Sequence, residues 1–500
     1  MNGAGTSPAR ELALSTSAPE LELTFRDPAG ELWLEAGCAL RRIRPAAEEE
    51  TRAFLASPLR KSLEQSGDLI STRVAYPSEH SRVAAGELWL EHPRIDPISY
   101  PWEWSTGQWR AAAELTLRIA GQAIDAGWTL KDATPLNILF SGPRPVLVDV
   151  LSFERRDRHS SVWLAYGQFV RTFLLPLVAA KYLSWPLAAT LFARDGYEPR
   201  QIYEALPRWR RLNPKLLDVV TLATVFERTG KARASSGQAG SKTNPDLARH
   251  VLKKRLARLA KQIEHAAGER SQSQWSRYAQ TASHYKAADV EEKQQFVKSV
   301  LAQCRPQRVL DIGANTGAYS LLATDAGASV VALDNDGAAL ERLWQRALER
   351  EQPITALVAD IARPTPAAGW RNREHLSLLD RLTSGFDMVL MLAVVHHLIL
   401  RHQLPLGHIA GLCASLTRRW LLLEWVPPSD PMFQEWLRGR DDLYGHLTED
   451  DLRNSFVPYF GVVDRAALGN GRVLLLFDRL LGQDHIGIEA EFQSAGGGKE

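Results

Sequence analysis

Hydrophobic and polar positions form a regular pattern over residues 270–482 of this 500-residue chain. Short apolar runs alternate there with stretches whose apolar residues recur at helical spacing; the runs are RVLDIG, SVVALD, ITALVAD, DMVLMLA, WLLLEWV and RVLLLF. Near-continuous apolar strands separated by helices are typical of a mostly parallel sheet covered on both faces. The pattern predicts a doubly wound α/β domain over residues 270–482.

The front part of the chain, residues 21–230, has a mixed pattern. The stretch LTFRDPAGELWLEAG predicts two strands around an Asp-Pro-Ala-Gly turn, and WSTGQWRAAAELTLRIAGQAIDAG predicts a helix between a Ser/Thr start and a Gly stop. Two short strands, LNILF and PVLVDV, follow around the turn SGPR, and the pattern is helical from 158 to 230. These elements indicate an α+β domain.

A polar small-residue run and a basic amphipathic helix separate the two predicted domains, over 231–269. In LKKRLARLAKQI, the residues Leu252, Leu256, Leu259 and Ile263 share one helix face, opposite the Lys and Arg side chains. This pattern favours a solvated surface helix, with a nucleic-acid or membrane-surface helix as the alternative. Composition predicts a disordered N-terminus over 1–20 and a flexible tail over 483–500.

Charge, cysteine content and apolar stretches disfavour several classes of protein, including nucleic-acid-binding, disulfide-rich and membrane-spanning proteins. A formal net charge of +2 gives no general attraction to nucleic acid, and no nucleic-acid partner is expected. Three widely separated cysteines form neither a disulfide framework nor a metal-binding spacing, which suits a reducing compartment. The apolar stretch 173–193 contains Lys181 and two prolines, which favours buried helices over a membrane span. No secretory signal is evident, so a cytoplasmic protein is expected; its oligomeric state is not readable.

The segment VLDIGANTGAYS, residues 309–320, carries the clearest chemical signal. It follows the first strand of the α/β domain, where ligands bind beyond the carboxyl ends of the strands. Gly313 and Gly317 allow a tight turn and a close backbone approach, and the next helix presents free N–H groups. Asp334 ends the second strand, 21 residues after Gly313, where a carboxylate accepts hydrogen bonds from both ribose hydroxyls. The pocket is therefore expected to hold a nucleoside with a further group attached.

Two ligand classes fit this loop, a dinucleotide and S-adenosylmethionine. A dinucleotide site has the pattern G-x-G-x-x-G and a close contact with a pyrophosphate. The loop here is D-x-G-x-N-x-G, and the carboxylate of Asp311 would repel a pyrophosphate but attract the amino group of a methionine moiety. The pattern favours S-adenosylmethionine.

Motifs at the ends of the third and fourth strands also indicate this cofactor, and together the motifs resemble those of a known family. ALVAD ends the third strand with Asp360, placed to reach an adenine amino group, and FDMVLMLAVVHHL ends at His396 and His397. Together with VLDIGANTGAYS and VVALDND, these motifs resemble those of class I S-adenosylmethionine-dependent methyltransferases. LKDATPLNILF, PVLVDVLSFE, QWSRYAQTASHY and LLEWVPPSDPMF extend the resemblance to bacterial nodulation-type methyltransferases along most of the chain.

The resemblance implies a Rossmann-like domain, S-adenosyl-L-methionine as the cofactor and a role for each matched residue. The methionine part would be held by the first loop, which contains Asp311, Gly313, Asn315 and Gly317. Asn315 stands where many members have Gly, and Asn tolerates a left-handed backbone. The second motif would contribute Asp334, with the adjoining Asn335, at the ribose. Asp360 would contact the adenine.

Catalysis and the acceptor are less clearly marked. Methyl transfer from a sulfonium needs alignment and exclusion of water, and it needs a base only when the nucleophile must lose a proton. His396 and His397 are the candidate bases, with packing at a helix start as the alternative. No NPPY-type run follows the fourth strand. The acceptor is expected to be a small molecule or a carbohydrate- or lipid-like molecule.

In the front domain, Asp132, Asn137 and Asp149 resemble the catalytic loop and metal-binding strand of protein-kinase-like folds. The match is incomplete, because Leu130 and Lys131 replace the usual His or Arg and no Gly follows Asp149 in D-F-G fashion. Three interpretations stay open: an active phosphotransferase, a degenerate kinase-like module that binds the acceptor or a partner, and coincidental spacing in an unrelated α+β domain.

The sequence as a whole predicts a methyltransferase with an accessory kinase-like domain. One alternative is a bifunctional enzyme, or a phosphotransferase whose methyltransferase half only senses the cofactor. Another is a binding scaffold in which both sites have decayed.

Overall fold

The structure is a computed structural model, and it describes these parts of the chain: 21–22, 27–35, 37–228, 244–268, 287–437 and 443–480. The predicted disordered N-terminus (1–20), the polar linker up to residue 243 and the predicted tail (483–500) lie outside the described residues.

The chain divides into two compact units. One comprises residues 1–52 and 71–94, and the other comprises residues 53–70 and 95–500. Most of the predicted accessory domain therefore falls in the same unit as the predicted methyltransferase domain, and the predicted boundaries between them stay a prediction.

The first unit contains an antiparallel sheet of five strands in the order β1-β2-β3-β5-β4. Their bounds are β1 Leu21–Glu22, β2 Gly30–Leu34, β3 Cys38–Ile43, β4 Arg73–Val74 and β5 Trp89–Pro93. Helix α1, Pro45–Leu55, follows β3. Strand β1 pairs antiparallel with β2, Leu21 opposite Leu34. The predicted strand before the Asp-Pro-Ala-Gly turn includes residues 23–26, which lie outside the described residues. Trp89 and Leu40 are buried, and Trp33 packs against them.

The second unit begins with helices of different lengths and two small two-stranded sheets. The elements are α2 Pro58–Gln65, α3 Thr106–Asp125, β6 Trp128–Leu130, β7 Ile138–Ser141, β8 Arg144–Leu147, β9 Phe153–Arg155, α4 Tyr166–Phe169, α5 Leu175–Leu183, α6 Pro199–Ala205, α7 Ala223–Arg228 and α8 Pro245–Ala267. Strand β6 pairs with β9, and β7 pairs with β8, in both cases antiparallel. The predicted α+β character of this region is confirmed.

The long helix α3 begins where the sequence predicts. Ser105 and Gln108 form a capping box, in which each side chain accepts a hydrogen bond from the backbone N–H of the other residue. This arrangement satisfies two N–H groups that a helix start leaves without a partner. Eleven of the twenty residues of α3 are buried, so the helix lies inside the unit rather than on its surface.

The predicted apolar face of α8 is confirmed, since Leu252, Leu256, Leu259 and Ile263 are all buried. The helix packs against α3. On its basic face, Lys253 Nζ lies 2.5 Å from Asp125 and Arg258 Nη2 lies 2.6 Å from Asp218. Cationic side chains of α8 are thus paired within the protein.

The apolar stretch 173–193 forms short helical segments. A π-helical turn at Val170–Leu174 leads into α5, and a 3-10 segment follows at Leu187–Leu191. Within the described residues, no helix combines the length and the apolar character that crossing a membrane requires.

A seven-stranded sheet forms the centre of the C-terminal half. Its strands are β10 Arg308–Ile312, β11 Ser329–Asp334, β12 Ile354–Val358, β13 Phe386–Met391, β14 Thr417–Trp425, β15 Phe460–Ala467 and β16 Val473–Arg479. The order is β12-β11-β10-β13-β14-β16-β15, with β10 to β14 parallel and the last two strands antiparallel. The reversal of strand order lies between β10 and β13, at the switch point of a doubly wound sheet.

Helices cover both faces of this sheet. They are α9 Ala287–Cys304, α10 Ala318–Asp325, α11 Gly337–Glu349, α12 Leu378–Leu382, α13 Val395–His402, α14 Leu406–Leu416, α15 Pro431–Leu437 and α16 Glu449–Phe456. The predicted Rossmann-like doubly wound fold is confirmed. Strand β15 was not predicted, because most of its residues are exposed and its sequence FGVVDRAA lacks a continuous apolar run.

Residues of the front region cover the edge of the large sheet. The side chain of Gln108 donates a hydrogen bond of 2.9 Å to the carbonyl oxygen of Ala356 on the edge strand β12. Next to it, Gly107 N donates to Glu341 of α11 at 2.8 Å. An uncovered edge strand offers unpaired N–H and C=O groups to other chains, and the bond from Gln108 occupies one of these groups.

A buried ion pair fastens the same region to α12. The side chains of Arg381 and Glu103 are 1% and 0% exposed, and the guanidinium of Arg381 also donates to the carbonyl oxygen of Ile98. Thr365 Oγ1 donates a hydrogen bond of 2.5 Å to Oε1 of Glu103, the oxygen that also accepts from Arg381 Nη2. Since a charge buried without a partner is costly, this arrangement couples the two regions tightly.

Candidate functional site

A pocket of about 460 Å³ lies at the carboxyl ends of the parallel strands β10 to β13. That volume is in the usual range for small-molecule sites. With the exception of Gly317, every residue predicted for the cofactor or catalysis lines it; these are Asp311, Gly313, Asn315, Asp334, Asn335, Asp360, His396 and His397. The structure therefore brings residues from four separate sequence motifs to one cavity.

Asp311 is a buried carboxylate at the end of β10. It is 2% exposed, and Ser320 Oγ at the start of α10 donates a hydrogen bond of 2.6 Å to its Oδ2 atom. Burial raises its pKa to about 6, with the hydrogen bond from Ser320 acting in the opposite direction. A cationic ligand group in the pocket would favour the charged form of Asp311.

The loop after β10 has two left-handed residues at the pocket. Gly313 has φ +76°, and a Cβ atom there would collide with the side chain of Val394. Asn315 has φ +50°, the left-handed conformation that asparagine tolerates. The buried Oδ1 atom of Asn315 has no hydrogen-bond partner among the described residues. A polar ligand group would supply that partner.

Gly317 lies outside the pocket. It adopts φ +80° directly before α10, and a Cβ atom at this position would collide with Leu343 of α11. The described contacts explain this glycine by its backbone conformation and by the close approach of a neighbouring helix. Its predicted role at the cofactor stays a prediction.

Asp334, the last residue of β11, binds two backbone N–H groups. Its Oδ2 atom accepts a hydrogen bond from Asn315 N and its Oδ1 atom accepts one from Asp336 N, both of 2.8 Å. Burial raises its pKa above the usual carboxyl value, while these N–H groups act in the opposite direction. The carboxylate therefore fastens the first loop to the second, and each oxygen keeps a lone pair for a ligand.

Asp360 follows β12 and also has partners within the protein. Its Oδ1 atom accepts from Ala362 N at 3.0 Å, and its Oδ2 atom lies 3.0 Å from Arg363 Nη2. The residue caps a turn, and it lines the pocket as well. The two roles are compatible, because a carboxylate offers about four acceptor positions.

His396 and His397 begin α13 and lie against each other, with ring centroids 4.1 Å apart. Burial lowers the pKa of His396 well below its ordinary value, and it lowers that of His397 to about 4. Both imidazoles are therefore neutral at pH 7. The Nδ1 atom of His396 is buried without a hydrogen-bond partner in the described structure, whereas His397 packs edge-on against Trp436.

Sequence reasoning missed a buried ionic network beside the pocket. Lys293 of α9 pairs with Glu424 at the end of β14, and Arg472 Nη1 lies 3.2 Å from the other oxygen of Glu424. Arg472 Nε is also 2.8 Å from Asp430. Burial opposes the charged form of Lys293, but Glu424 and Tyr319 raise its pKa above the ordinary value.

One sequence signal could have indicated this network. Glu424 stands inside the apolar strand WLLLEWV, and a buried carboxylate requires a partner. Its partners come from segments 131 and 48 residues away, so spacing along the chain could not identify them. Lys293 and Arg472 both line the pocket.

Two of the three polar residues singled out in the front region, Asn137 and Asp149, are hydrogen-bonded to Ser152. Asn137 Nδ2 donates to Ser152 Oγ at 3.0 Å, and Ser152 Oγ donates to Asp149 Oδ2 at 2.6 Å. Asp149 also caps the 3-10 turn Val150–Ser152 by accepting from Leu151 N. These hydrogen bonds satisfy Asn137 and Asp149 within the protein and give no support to the phosphotransferase alternative that used them with Asp132.

The chain is similar in sequence to a nodulation protein. No family model matches the sequence. Nodulation protein NoeA of Rhizobium meliloti (strain 1021) is 28% identical over 467 residues, which cover 91% of this chain and 95% of NoeA.

Among solved structures, the N-methyltransferase NodS from Bradyrhizobium japonicum WM9 is 15% identical with a TM-score of 0.29, covering 39% of this chain and 98% of NodS. The magnesium protoporphyrin IX methyltransferase ChlM from Synechocystis PCC 6803, with bound SAH, is 22% identical with a TM-score of 0.28, covering 38% of this chain and 83% of ChlM.

In the C-terminal half, four sequence motifs line one cavity at the edge of the seven-stranded sheet. The seven-stranded sheet places VLDIGANTGAYS, VVALDND, LVAD and AVVHHL at one edge, at the ends of adjacent parallel strands. The C-terminal half of this chain is thus a Rossmann-like, doubly wound domain with a pocket at its switch point, within a chain that is similar to NoeA along most of its length.

Proposed function

We propose that this protein is an S-adenosylmethionine-dependent methyltransferase. The observation that supports it best is the row of three carboxylates, Asp311, Asp334 and Asp360, at the ends of the adjacent strands β10, β11 and β12. Neighbouring strands are about 4.8 Å apart, so the row extends over roughly 10 Å. A ligand with an amino group, a ribose and an adenine in linear order matches such a row.

The residues of the pocket fit this cofactor chemically. Asp311 would pair with the amino group, Asp334 and Asn335 would bind the ribose hydroxyls, and Asp360 would bind the adenine amino group. Asn315 presents a buried acceptor that has no partner in the described protein, and Gly313 leaves the space that a side chain would fill. A pyrophosphate would instead meet the carboxylate of Asp311, which disfavours a dinucleotide.

The chemistry assigns different tasks to the two histidines. S-adenosylmethionine supplies a methyl group that is already activated on a sulfonium. Burial keeps His396 neutral at pH 7 but lowers its pKa, which makes it a weak base; its unpartnered Nδ1 atom would accept a hydrogen bond from the hydroxyl or amine of the acceptor and orient the nucleophile. His397, in contact with His396 and Trp436, would form a wall that positions the acceptor and excludes water.

The size of the cavity supports a small acceptor. About 460 Å³ has to accommodate the cofactor and the reacting part of the acceptor. We therefore propose that the acceptor is a small molecule, or a carbohydrate- or lipid-like molecule that inserts only its reactive end.

Cofactor binding should depend on pH through Asp311. Because burial raises the pKa of this carboxyl to about 6 in the free protein, pairing with an ammonium group requires loss of a proton below that pH. Affinity should rise with pH up to about 6 and level off above it, with a slope approaching about 10-fold per pH unit on the acid side. Calorimetric titration with S-adenosylmethionine between pH 5 and pH 8 measures this dependence.

The matched variants are Asp311→Asn and Asp464→Asn. Asparagine at 311 keeps an acceptor for Ser320 but removes the charge, so affinity at pH 7.5 should fall by about 10-fold or more and the loss of affinity below pH 6 should become shallower. Asp464 is exposed on β15 and its variant should retain the wild-type profile. An unchanged pH profile in Asp311→Asn would remove Asp311 from the cofactor site.

A further inference from the structure

Charge is distributed unevenly within the pocket. Among the described residues, the carboxylates that line it are Asp311, Asp334 and Asp360, and all three follow strands on the β10–β12 side. The opposite side, after β13, is lined by residues of α13 that include Arg401 and His402. The pocket therefore has an acidic side that fits the cofactor and a basic side that has no role in the proposed binding of the cofactor.

Arg401 differs from the other cations that line the pocket. Lys293 and Arg472 are neutralised by Glu424 and Asp430. Arg401 is exposed at the pocket mouth and has neither a hydrogen-bond nor an ion-pair partner for its guanidinium in the described part of the chain. Its charge is thus available to a ligand.

The aromatic rings next to Arg401 connect it with His396, whose Nδ1 atom has no hydrogen-bond partner in the described residues. Arg401 lies one helical turn after His397, and after burial it is the largest influence that holds down the pKa of that imidazole. His397 contacts His396 on one side and Trp436 on the other. A molecule bound by Arg401 at the mouth could therefore extend along these rings toward His396 Nδ1.

We propose that the methyl acceptor carries an oxyanion, a carboxylate or a phosphate, that Arg401 binds while the nucleophile of the acceptor faces His396. This inference rests on the proposed methyltransferase function and specifies its substrate class. A guanidinium presents paired N–H donors that match the two oxygens of a carboxylate or phosphate, whereas a neutral acceptor would leave the charge of Arg401 unused.

The test uses the full-length protein saturated with S-adenosylhomocysteine and two minimal probes, acetate and inorganic phosphate. Each probe is titrated at constant ionic strength, with sodium chloride as the compensating salt, and binding is followed by NMR chemical shifts. We expect saturable binding of at least one probe, with acetate favoured for a carboxylate acceptor and phosphate favoured for a phosphorylated acceptor. The absence of saturable binding of both probes would overturn the proposal.

Two variants identify the residue responsible. Arg401→Gln should weaken probe binding by at least about 10-fold and leave the affinity for S-adenosylhomocysteine unchanged. Arg350→Gln is the matched control, because Arg350 is exposed at the end of α11 and does not line the pocket. Retention of probe binding in Arg401→Gln would overturn the inference.

The cofactor affinity separates this inference from the proposed function. If Arg401→Gln loses S-adenosylhomocysteine, Arg401 belongs to the cofactor site and the acceptor proposal is wrong while the methyltransferase proposal stands. If the wild-type protein does not bind S-adenosylhomocysteine, the methyltransferase proposal itself fails.

Discussion

Replacement of Asp334 by alanine is expected to weaken the binding of S-adenosylmethionine about 100-fold, or by ~3 kcal/mol. The variant removes the carboxylate that would accept hydrogen bonds from the ribose, and hydrogen bonds to a charged group contribute more than neutral ones. It also frees Asn315 N, which shapes the first loop. Calorimetric titration of the variant and the wild-type protein measures the difference.

Asp336→Ala is the matched control for this prediction. Asp336 lies two residues further on, does not line the pocket and caps α11 by accepting hydrogen bonds from Ala338 N and Ala339 N. Its removal should cost about 1 kcal/mol of stability and leave cofactor affinity near the wild-type value. Equal affinities in Asp334→Ala and the wild type would show that Asp334 only fastens the two loops together.

Replacement of Glu424 by glutamine is expected to lower the free energy of unfolding by about 3–5 kcal/mol. Glu424 is fully buried between Lys293 and Arg472, and the amide cannot neutralise either cation. The remaining carboxylate, Asp430, leaves the buried network with one uncompensated positive charge. Urea denaturation of the wild type and the variant measures the change.

A second substitution keeps this prediction testable if the single variant folds poorly. Lys293→Met combined with Glu424→Gln removes one charge of each sign and should recover part of the lost stability, since the two residues contact each other. Glu435→Gln, an exposed substitution on α15, should change stability by less than about 0.5 kcal/mol. If the double variant is as unstable as Glu424→Gln alone, the loss of stability does not come from an uncompensated charge on Lys293.

The large sheet and the acids that line its pocket could be predicted from the sequence because their signals are local. Apolar runs such as SVVALD and DMVLMLA identify parallel strands, and the acids and glycines at their ends mark the ligand side. The backbone of Asn315 is one example, because the tolerance of asparagine for a left-handed conformation made that conformation predictable.

Features that depend on distant segments were not accessible. Glu424 reveals that a partner exists but not that Lys293 and Arg472 provide it. Gly317 shows the same limit, because the need for glycine there comes partly from Leu343 on another helix. Strand β15 escaped prediction because an exposed edge strand has little hydrophobic pattern to detect. The cover of the β12 edge by Gln108 likewise depends on a contact over 248 residues.

The most direct test of the central claim is calorimetric titration of the wild-type protein with S-adenosylmethionine and, separately, with NAD. The acidic row of the pocket predicts binding of S-adenosylmethionine with a Kd in the micromolar range, or roughly −8 kcal/mol, and no measurable binding of NAD. Binding of NAD without binding of S-adenosylmethionine would contradict the account, because it would mean that the pocket accepts a pyrophosphate beside the carboxylate of Asp311.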